Sequence, residues 1–530
     1  MTSIGIIGSG HAGVAAAKAL VRRGYKPVIL DVGERLDPTR HELVTELATQ
    51  PHENWDPTLL RRVTGNPSVK SERPVRLAYG SDYVYGRRRE WSNDSFCDIG
   101  PAPSYAKGGY STVWGGAMLP ADSDDLTDWP SQTRELSKWY STVLQDLPFS
   151  AVNDELASCF PLHAAPGAPL NTQPIVRSFL KSLRKSRKLM EDSTVAFGGA
   201  RLAVRTGSPN DANSCSYCGR CLSGCVYNAI QSSSTDLDQM IAADQVEYRS
   251  GVIAESLKEE GNTISVLSTD RDKVRTTFQF KHLFLAAGAL SSTRIFMNSS
   301  SIYNHELRML TTQGFALPIL RFKHSPFRWP NTNTLTGMFL ELKLPNFSKH
   351  WIHCQVSQAN ELVLQKMGFD EESTTLLNRA KRRALGHLMI ALCNFHSRDA
   401  AHYGLSLTKS QTGETSLQIK THASETYPAT SKAAGRRLTT LLLRTGSVPL
   451  MFLKHGSSKR PMGWHFGGSM PMKDQPSKQW ETDIFGTPRD WKRLSIVDSS
   501  VFPALPGTTI ALLAMANSQR IASEVPINTN

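Results

Sequence analysis

The chain has 530 residues, 40% of them hydrophobic and 20% charged, which is ordinary for a soluble globular protein but too long for one small core. Its formal net charge is +13, yet lysine and arginine occur in short scattered runs without interleaved aromatics. We therefore expect a solvated surface and no nucleic-acid partner, with an anionic or nucleotide-linked substrate as the alternative. No apolar run reaches the roughly 20 residues of a membrane span, and the apolar N-terminus runs into glycines instead of a cleavage site, so we expect a cytoplasmic protein.

The first thirty residues predict a β–turn–α–β unit. An apolar strand over residues 4–7 is followed by a glycine-rich turn over 8–13, a helix over 14–23 and a second strand over 28–30. Residues 35–100 are polar and rich in proline and arginine, with no sustained period. This segment is interpreted as a long excursion over the surface.

The rest of the chain alternates helical and β-rich stretches around glycine-rich loops. Helices are expected at residues 131–147, 174–190, 232–243, 431–445 and 508–522. Strands are expected within 246–287 and at 336–342, 350–356, 388–395 and 403–419. The later strands, joined by polar turns, predict an antiparallel sheet.

The glycine-rich turn is typical of a dinucleotide site, because it follows a strand and opens a helix. Gly8 permits the tight turn, Gly10 lets the backbone approach a pyrophosphate, and Gly13 lets helix and strand pack closely. The helix start at His11 and Ala12 supplies unpaired N–H groups and a partial positive charge for the diphosphate. FAD, a nicotinamide cofactor and a glycine turn without a ligand all remain open on this pattern.

Two further positions extend this site. Asp31 ends the second strand, where an acid binds ribose hydroxyls. Residues 283–290 form an apolar strand that breaks at Ala287 and Gly288 before a helix, and small residues there let the chain pass close to a dinucleotide. The same pattern of residues would also fit a buried strand–helix junction that contacts no dinucleotide.

Four cysteines are concentrated in eleven residues, Cys215, Cys218, Cys221 and Cys225. Their spacing is that of a bacterial ferredoxin ligand run, although Val226 stands where proline usually follows. Four thiolates also suit a structural zinc. An iron–sulfur cluster, zinc, and a metal-free thiol or disulfide-braced loop are the three alternatives.

With its C-terminal region included, the chain resembles the glucose–methanol–choline (GMC) family of FAD-dependent oxidoreductases. The stretches that carry the resemblance are residues 8–13 with Asp31-Val32-Gly33, the loop 108–116, the turn 285–290, and 465–472 followed by 497–503. Some members of this family carry a cysteine-rich insertion that holds an iron–sulfur cluster.

The resemblance implies an α/β fold: a Rossmann-like FAD-binding domain and a substrate domain built on an antiparallel sheet backed by helices. The FAD-binding domain would comprise residues 1–120, 195–300 and 458–530, with the surface excursion 35–100 and the cysteine-rich insertion 211–232. The substrate domain would comprise residues 121–194 and 301–457.

The resemblance also implies the site residues. The cofactor contacts would be Gly8, Gly10, His11, Ala12, Gly13, Asp31, Gly109, Ser111, Trp114, Gly115, Val252, Ala287, Gly288, Asp498, Thr508 and Thr509. His465 falls on the family's catalytic histidine and would be the general base. The family's second catalytic His or Asn is missing, and Thr509, which can donate a hydrogen bond but is a poor base, is the best match to that position.

The implied reaction is oxidation of a CH–OH group of a sugar, polyol or cyclitol-like alcohol, by a dehydrogenase or oxidase that passes hydride to flavin N5. If the cysteines hold iron, an electron-acceptor protein is an expected partner. The alternatives are a non-catalytic flavin and iron–sulfur electron carrier, suggested by the missing second residue, and an NAD-linked oxidoreductase.

Overall fold

The computed structural model describes residues 4–64, 76–85, 102–207, 213–323, 325–329, 331–366, 368–369, 373–456 and 463–527. Its α-helices, in chain order, are α1 His11–Arg22, α2 Pro38–Ala48, α3 Pro57–Thr64, α4 Ser137–Gln145, α5 Pro174–Arg184, α6 Arg187–Met190, α7 Ser233–Ala242, α8 Ala289–Ser299, α9 Glu361–Lys366, α10 Leu376–Leu385, α11 Tyr427–Arg444 and α12 Ala511–Glu524. Short 3-10 helices include Gly109–Thr112, Ser123–Leu126, Ser397–Asp399 and Ser499–Val501.

The strands, in chain order, are β1 Ile4–Ile7, β2 Val28–Leu30, β3 Val195–Gly199, β4 Glu247–Arg249, β5 Ile253–Glu260, β6 Thr263–Thr269, β7 Arg275–Phe280, β8 His282–Leu285, β9 Glu306–Thr311, β10 Gln313–Arg321, β11 Met338–Leu344, β12 Ser348–Gln358, β13 Leu388–Phe395, β14 His402–Lys409, β15 Thr415–His422, β16 Ser447–Pro449, β17 Phe466–Gly467 and β18 Leu494–Ile496.

A parallel five-stranded sheet in the order β18-β8-β1-β2-β4 contains the N-terminal strand–turn–helix unit. The strands β1 and β8 are apolar and fully buried because elements cover both faces of the sheet. Helix α1 packs against α12, and the Ser518 hydroxyl donates to the Ala12 carbonyl at 2.6 Å. The carboxyl ends of the parallel strands therefore meet at the start of α1.

A six-stranded antiparallel sheet in the order β16-β10-β13-β12-β11-β3 forms the second layer. Alternate residues of its strands point to opposite faces. Ile352, Cys354 and Val356 of β12, for example, belong to an apolar core that α5 and α11 complete. The opposite face carries polar side chains, among them His353 of β12 and Glu341 of β11.

Two smaller sheets connect these layers, in the orders β15-β14-β9-β17 and β5-β6-β7. The predicted combination of a parallel sheet with antiparallel sheets backed by helices is confirmed. The division into two domains stays a prediction, and strand β3, which it assigns to the FAD-binding part, pairs with β11 at the edge of the antiparallel sheet.

The predicted helices and strands are present, but the stretch 174–190 is two helices, α5 and α6, the stretch 403–419 is divided between two strands, β14 and β15, and α4 begins only at Ser137. The ends of the other elements differ by a few residues. Helices α2 and α3 lie within the surface excursion expected at 35–100, and only Leu47 of α2 is buried. Residues 65–75 and 86–100 of this segment are outside the described part of the chain. The Asp37 carboxylate caps α2 by accepting from the Arg40 amide at 3.0 Å, and Pro38 occupies its first turn.

None of the helices in the described segments is long and apolar enough to cross a membrane.

Candidate functional site

The turn at the start of α1 contains glycines in two kinds of surroundings. At one position a side chain would clash with the backbone, and at another it would project into open space. A Cβ on Gly13 would lie 2.0 Å from the Gly8 carbonyl oxygen, and Gly8 itself has a φ of +99°. Gly10 has an ordinary extended backbone, and a Cβ there would meet nothing within 4 Å. No side chain caps the helix at Gly10, so its first N–H groups have no side-chain partner. The turn therefore presents free amide donors, as an anion site requires.

The loop containing Gly109 lies directly over this turn. A Cβ on Gly109 would be 3.4 Å from the Gly10 Cα, and the Gly108 amide donates to the Ser9 hydroxyl at 2.9 Å. Ser9 in turn donates to the Asp31 carboxylate. The structure thus brings three segments that are far apart in sequence to one place.

Asp31 is buried at the end of β2, as predicted for the ribose-binding acid. Its Oδ2 accepts from Ser9 and, at 3.1 Å, from the Tyr248 hydroxyl. Burial raises its pKa to about 6, against the opposing effect of these hydrogen bonds. An ionised carboxylate has about four lone-pair sites, so sites remain for ribose hydroxyls.

Trp114 and His11 form an edge-on ring pair with centroids 4.3 Å apart. The indole N–H of Trp114 donates to the Gln231 carbonyl at 2.6 Å, and His11 Nε2 lies 3.3 Å from Gln231 Oε1. Burial lowers the pKa of His11 to about 4, so the ring is neutral near pH 7. These contacts fix the Trp114 ring beside the start of α1.

The turn after β8 is tied to the C-terminal region by one buried carboxylate. Asp498 accepts from the Gly288 amide at 2.9 Å and from the Ser292 and Ser500 hydroxyls, both at 2.5 Å. Gly288 has a φ of +84°, and a Cβ there would meet nothing within 4 Å. Asp498 therefore holds the small-residue turn in place and keeps its space open. The Ala287 amide, for its part, donates to Ser292.

The remaining predicted cofactor residues have structural partners of their own. Ser111 accepts from the Ser233 amide at 2.9 Å, which fixes the start of α7. A Cβ on Gly115 would lie 3.2 Å from the Arg76 guanidinium. The Val252 amide donates to the Asp31 carbonyl at 3.0 Å.

His465 is half-buried immediately before β17, and its Nδ1 lies 3.4 Å from the Thr312 hydroxyl. Burial, together with the charge of His353, lowers its pKa to about 4. The preceding residue, Trp464, contacts the Tyr110 ring with centroids 6.3 Å apart. Because Tyr110 belongs to the loop over Gly10, the predicted base is joined to the nucleotide turn through one loop.

The two threonines after the Asp498 segment are both buried. Thr509 donates its hydroxyl to the Ala117 carbonyl at 3.0 Å, so this group is already engaged. The Thr508 hydroxyl has no hydrogen-bond partner. Thr509 therefore offers little to replace a second catalytic His or Asn.

The four clustered cysteines are all free thiols in one loop. Cys225 Sγ accepts from the Ala229 amide at 3.2 Å and Cys221 Sγ from the Thr334 amide at 3.5 Å. Burial raises the pKa of all four, to about 11 for Cys215 and about 12 for Cys218. Backbone N–H groups directed at sulfur are also found around iron–sulfur clusters.

These sulfurs do not surround a position for a single ion. Tetrahedral zinc with Zn–S bonds of about 2.3 Å requires sulfurs roughly 3.8 Å apart. Among the described residues, the cysteines included, only Asp125, His350 and His396 bring three ligating atoms within 4.8 Å of one another. A preassembled zinc site is therefore not supported, whereas an iron–sulfur cluster would space the sulfurs more widely because each binds a different iron.

Comparison with known proteins identifies the segment that contains these loops. Residues 104–307 match the protein family described as GMC oxidoreductase. In fold, the chain is similar to the crystal structure of pyridoxine 4-oxidase from Mesorbium loti, with a TM-score of 0.56 and 14% identity over 98% of each chain. No curated protein sequence matches it. The predicted resemblance to the GMC family is confirmed.

GMC oxidoreductases typically bind FAD, and the residues of this chain fit that group. Gly10 and Gly288 both leave open space where a Cβ would project, and neither α1 nor α8 has a side-chain cap. Asp31 lies beside this space with lone pairs to spare. These are the features that a dinucleotide with a pyrophosphate requires.

Sequence reasoning missed a group of buried ionisable residues on the polar face of the antiparallel sheet. His353 and Glu341 are fully buried and joined by a contact of 2.7 Å between Nδ1 and Oε1. Arg201, also buried, donates to the Phe160 carbonyl at 2.5 Å, but its Nε and Nη2 have no partner. The only signal in the sequence was the presence of charged residues within predicted strands.

A second buried group lies nearby and was also missed. His350 Nδ1 is 3.1 Å from Asp125 Oδ1, and the His350 and His396 rings are stacked with centroids 3.6 Å apart and 10° between planes. One metal ion cannot lie in both planes of such a stack. This arrangement instead suits a direct contact between His350 and Asp125 beside a neutral His396, whose pKa burial lowers well below its usual value.

Proposed function

We propose that the chain is an FAD-dependent oxidoreductase that oxidises a CH–OH group, with His465 as the general base. The observation that carries this proposal is the contact between Trp464, adjacent to His465, and Tyr110 of the loop over Gly10. This contact supports a position of the histidine close to the nucleotide turn. The GMC match of residues 104–307 favours flavin over a nicotinamide cofactor.

The role of His465 follows from its charge state. With a pKa lowered to about 4 it is neutral near pH 7, and its ring can accept the proton of a substrate hydroxyl. The Thr312 hydroxyl at Nδ1 orients the ring. Bound FAD would supply the hydride acceptor, N5, for the carbon atom of the same alcohol.

A polar alcohol of the sugar, polyol or cyclitol class is the proposed substrate. The support is the polar face of the antiparallel sheet, which carries buried His353, Glu341 and the half-buried Asn394. Such groups hydrogen-bond to hydroxyl-rich molecules and discriminate against apolar ones. Pyridoxine, the substrate named for the protein of similar fold, belongs in the same test panel.

The test is anaerobic reduction of the bound flavin by a panel of sugars, polyols, cyclitols and pyridoxine. We expect one class to bleach the flavin, and His465→Ala to slow this step at least about 100-fold, as loss of a general base does. His305→Ala is the control, because His305 packs on Trp480, with ring centroids 4.7 Å apart, and belongs to none of these loops. Equal rates for His465→Ala and the unaltered protein would refute the role of His465.

The second candidate is a flavin and iron–sulfur electron carrier without a substrate. The amide donors to Cys225 and Cys221 favour it, as does the engagement of Thr509 with Ala117. In this case no alcohol bleaches the flavin, while a one-electron donor reduces both centres. An iron–sulfur cluster with an electron-acceptor protein as partner is compatible with either candidate.

A further inference from the structure

The polar face of the antiparallel sheet carries one row of residues across four strands. Gly314 of β10 lies opposite Asn394 of β13, Asn394 opposite His353 of β12, and His353 opposite Glu341 of β11. Residues directly opposite one another in neighbouring antiparallel strands project from the same face. His353 is therefore at the centre of this row and on the face away from the apolar core under α5 and α11.

This face is covered by the segments that carry the proposed active site. Thr312, two residues before Gly314, contacts His465 through its hydroxyl and through a backbone bond of 3.3 Å to the His465 carbonyl. On the other side, a Cβ on Gly507 would lie 2.7 Å from the Trp351 carbonyl oxygen and 3.0 Å from that of Asn394. The loop in which the family has its second catalytic residue thus packs directly on the strands that hold His353.

His353 has one nitrogen committed and one free. Its Nδ1 lies 2.7 Å from Glu341 Oε1, and an ionised carboxylate only accepts, so Nδ1 carries one proton of the ring. Its Nε2 is fully buried and has no hydrogen-bond partner. Burial raises the pKa of Glu341, but the charges of His353 and Arg201 oppose this and favour the carboxylate. A histidine held through one nitrogen by a carboxylate, with the other directed at a reacting group, is the arrangement of hydrolytic triads.

We propose that His353, positioned by Glu341, is the second imidazole of the active site and donates its Nε2–H to the reacting oxygen of the substrate. This inference rests on the proposed function and supplies the group that Thr509 does not. The hydroxyl proton passes to His465, the hydride leaves the carbon with its electron pair for the flavin, and the C–O bond becomes a carbonyl. Both protons remain on His353, and the hydrogen bond from its Nε2–H stabilises the negative charge that develops on the oxygen.

The test measures anion binding separately from turnover. Acetate, a small carboxylate, is titrated into the flavin-containing protein, and its binding is followed by the absorbance of the bound flavin. Its negatively charged oxygen should accept a hydrogen bond from the Nε2–H of His353. The same proteins are then reduced anaerobically by the best alcohol of the panel. The variants are His353→Gln, His353→Ala with and without added imidazole, and Glu341→Gln.

The matched control is His422→Gln. His422 forms a similar pair with Glu306, with Nε2 2.9 Å from Oε1, but it lies at the end of β15, an edge strand. This substitution removes a His–Glu pair without touching the proposed site.

We expect His353→Gln to weaken acetate binding at least tenfold and to slow flavin reduction about 100-fold, the usual effect of losing an oxyanion donor. Flavin content should be unchanged, imidazole should restore part of the rate to His353→Ala, and His422→Gln should match the unaltered protein. Acetate binding that is absent from the unaltered protein, or the same with and without His353, overturns the inference. If no alcohol reduces the flavin but acetate binding still depends on His353, the proposed reaction fails and the anion-binding role stands.

Discussion

The glycines of the nucleotide turn allow a prediction in which folding and cofactor binding separate. Gly10→Ala and Gly13→Ala add the same methyl group three residues apart. At Gly13 the new Cβ would lie 2.0 Å from the Gly8 carbonyl oxygen, whereas at Gly10 it would meet nothing within 4 Å. Only the methyl group of Gly10→Ala projects into the space where a pyrophosphate is expected.

The magnitudes follow from these contacts. The clash at Gly13 is with backbone, so strand β1 and helix α1 must separate, and overpacking of this kind costs about 1–3 kcal/mol. At Gly10 two small effects oppose each other. Alanine restricts the unfolded chain, which stabilises by roughly 0.4–1 kcal/mol, but it is a poorer N-cap than glycine. We therefore expect a change within about 0.5 kcal/mol in the stability of the flavin-free protein.

The assay combines urea unfolding of the flavin-free protein with FAD titration followed by flavin fluorescence. Gly10→Ala should fold normally and bind FAD at least tenfold more weakly, a loss of about 1.4 kcal/mol. Gly199→Ala is the control, because its Cβ would make only an ordinary contact of 3.6 Å with Asp154. Normal FAD affinity in Gly10→Ala would refute the placement of the diphosphate at this turn.

Two further predictions concern buried titratable groups. Burial lowers the pKa of His282 to about 4. Between about pH 4 and 6.5 the unfolded chain therefore binds more protons than the folded protein, and the folded state loses stability as the pH falls. The melting temperature should decline less with falling pH in His282→Gln than in the unaltered protein, and an equal decline in both would contradict the lowered pKa of His282. The protein purified without oxygen should contain iron and acid-labile sulfide, which Cys221→Ser should abolish and Cys159→Ser, outside the loop, should not. Stoichiometric zinc without iron would contradict this prediction.

The elements predicted well are those whose signal lies in consecutive residues. The strand, turn and helix at the N-terminus were predicted because their apolar periods and glycines are local. Helix α2 was missed because only Leu47 of it is buried, so it has almost no apolar stripe.

Strand β3 was missed for a different reason. Val195–Gly199 is short and ends in two glycines, and its partner β11 lies far along the chain. Nothing local distinguishes such a segment from a loop, because its hydrogen bonds come from the partner strand.

What the sequence by itself determined is the nucleotide turn and the family, since both depend on residue types at fixed local spacings. Only the tertiary structure decided which buried side chains lie together. His353 and Glu341 come from separate strands, and the register of the antiparallel sheet brings them side by side on one buried face. His465 lies outside that sheet, just before β17, and contacts Thr312, which directly precedes β10. Burial then changes the protonation equilibria of these side chains, because removal from water raises the pKa of Glu341 and lowers the pKa of His465.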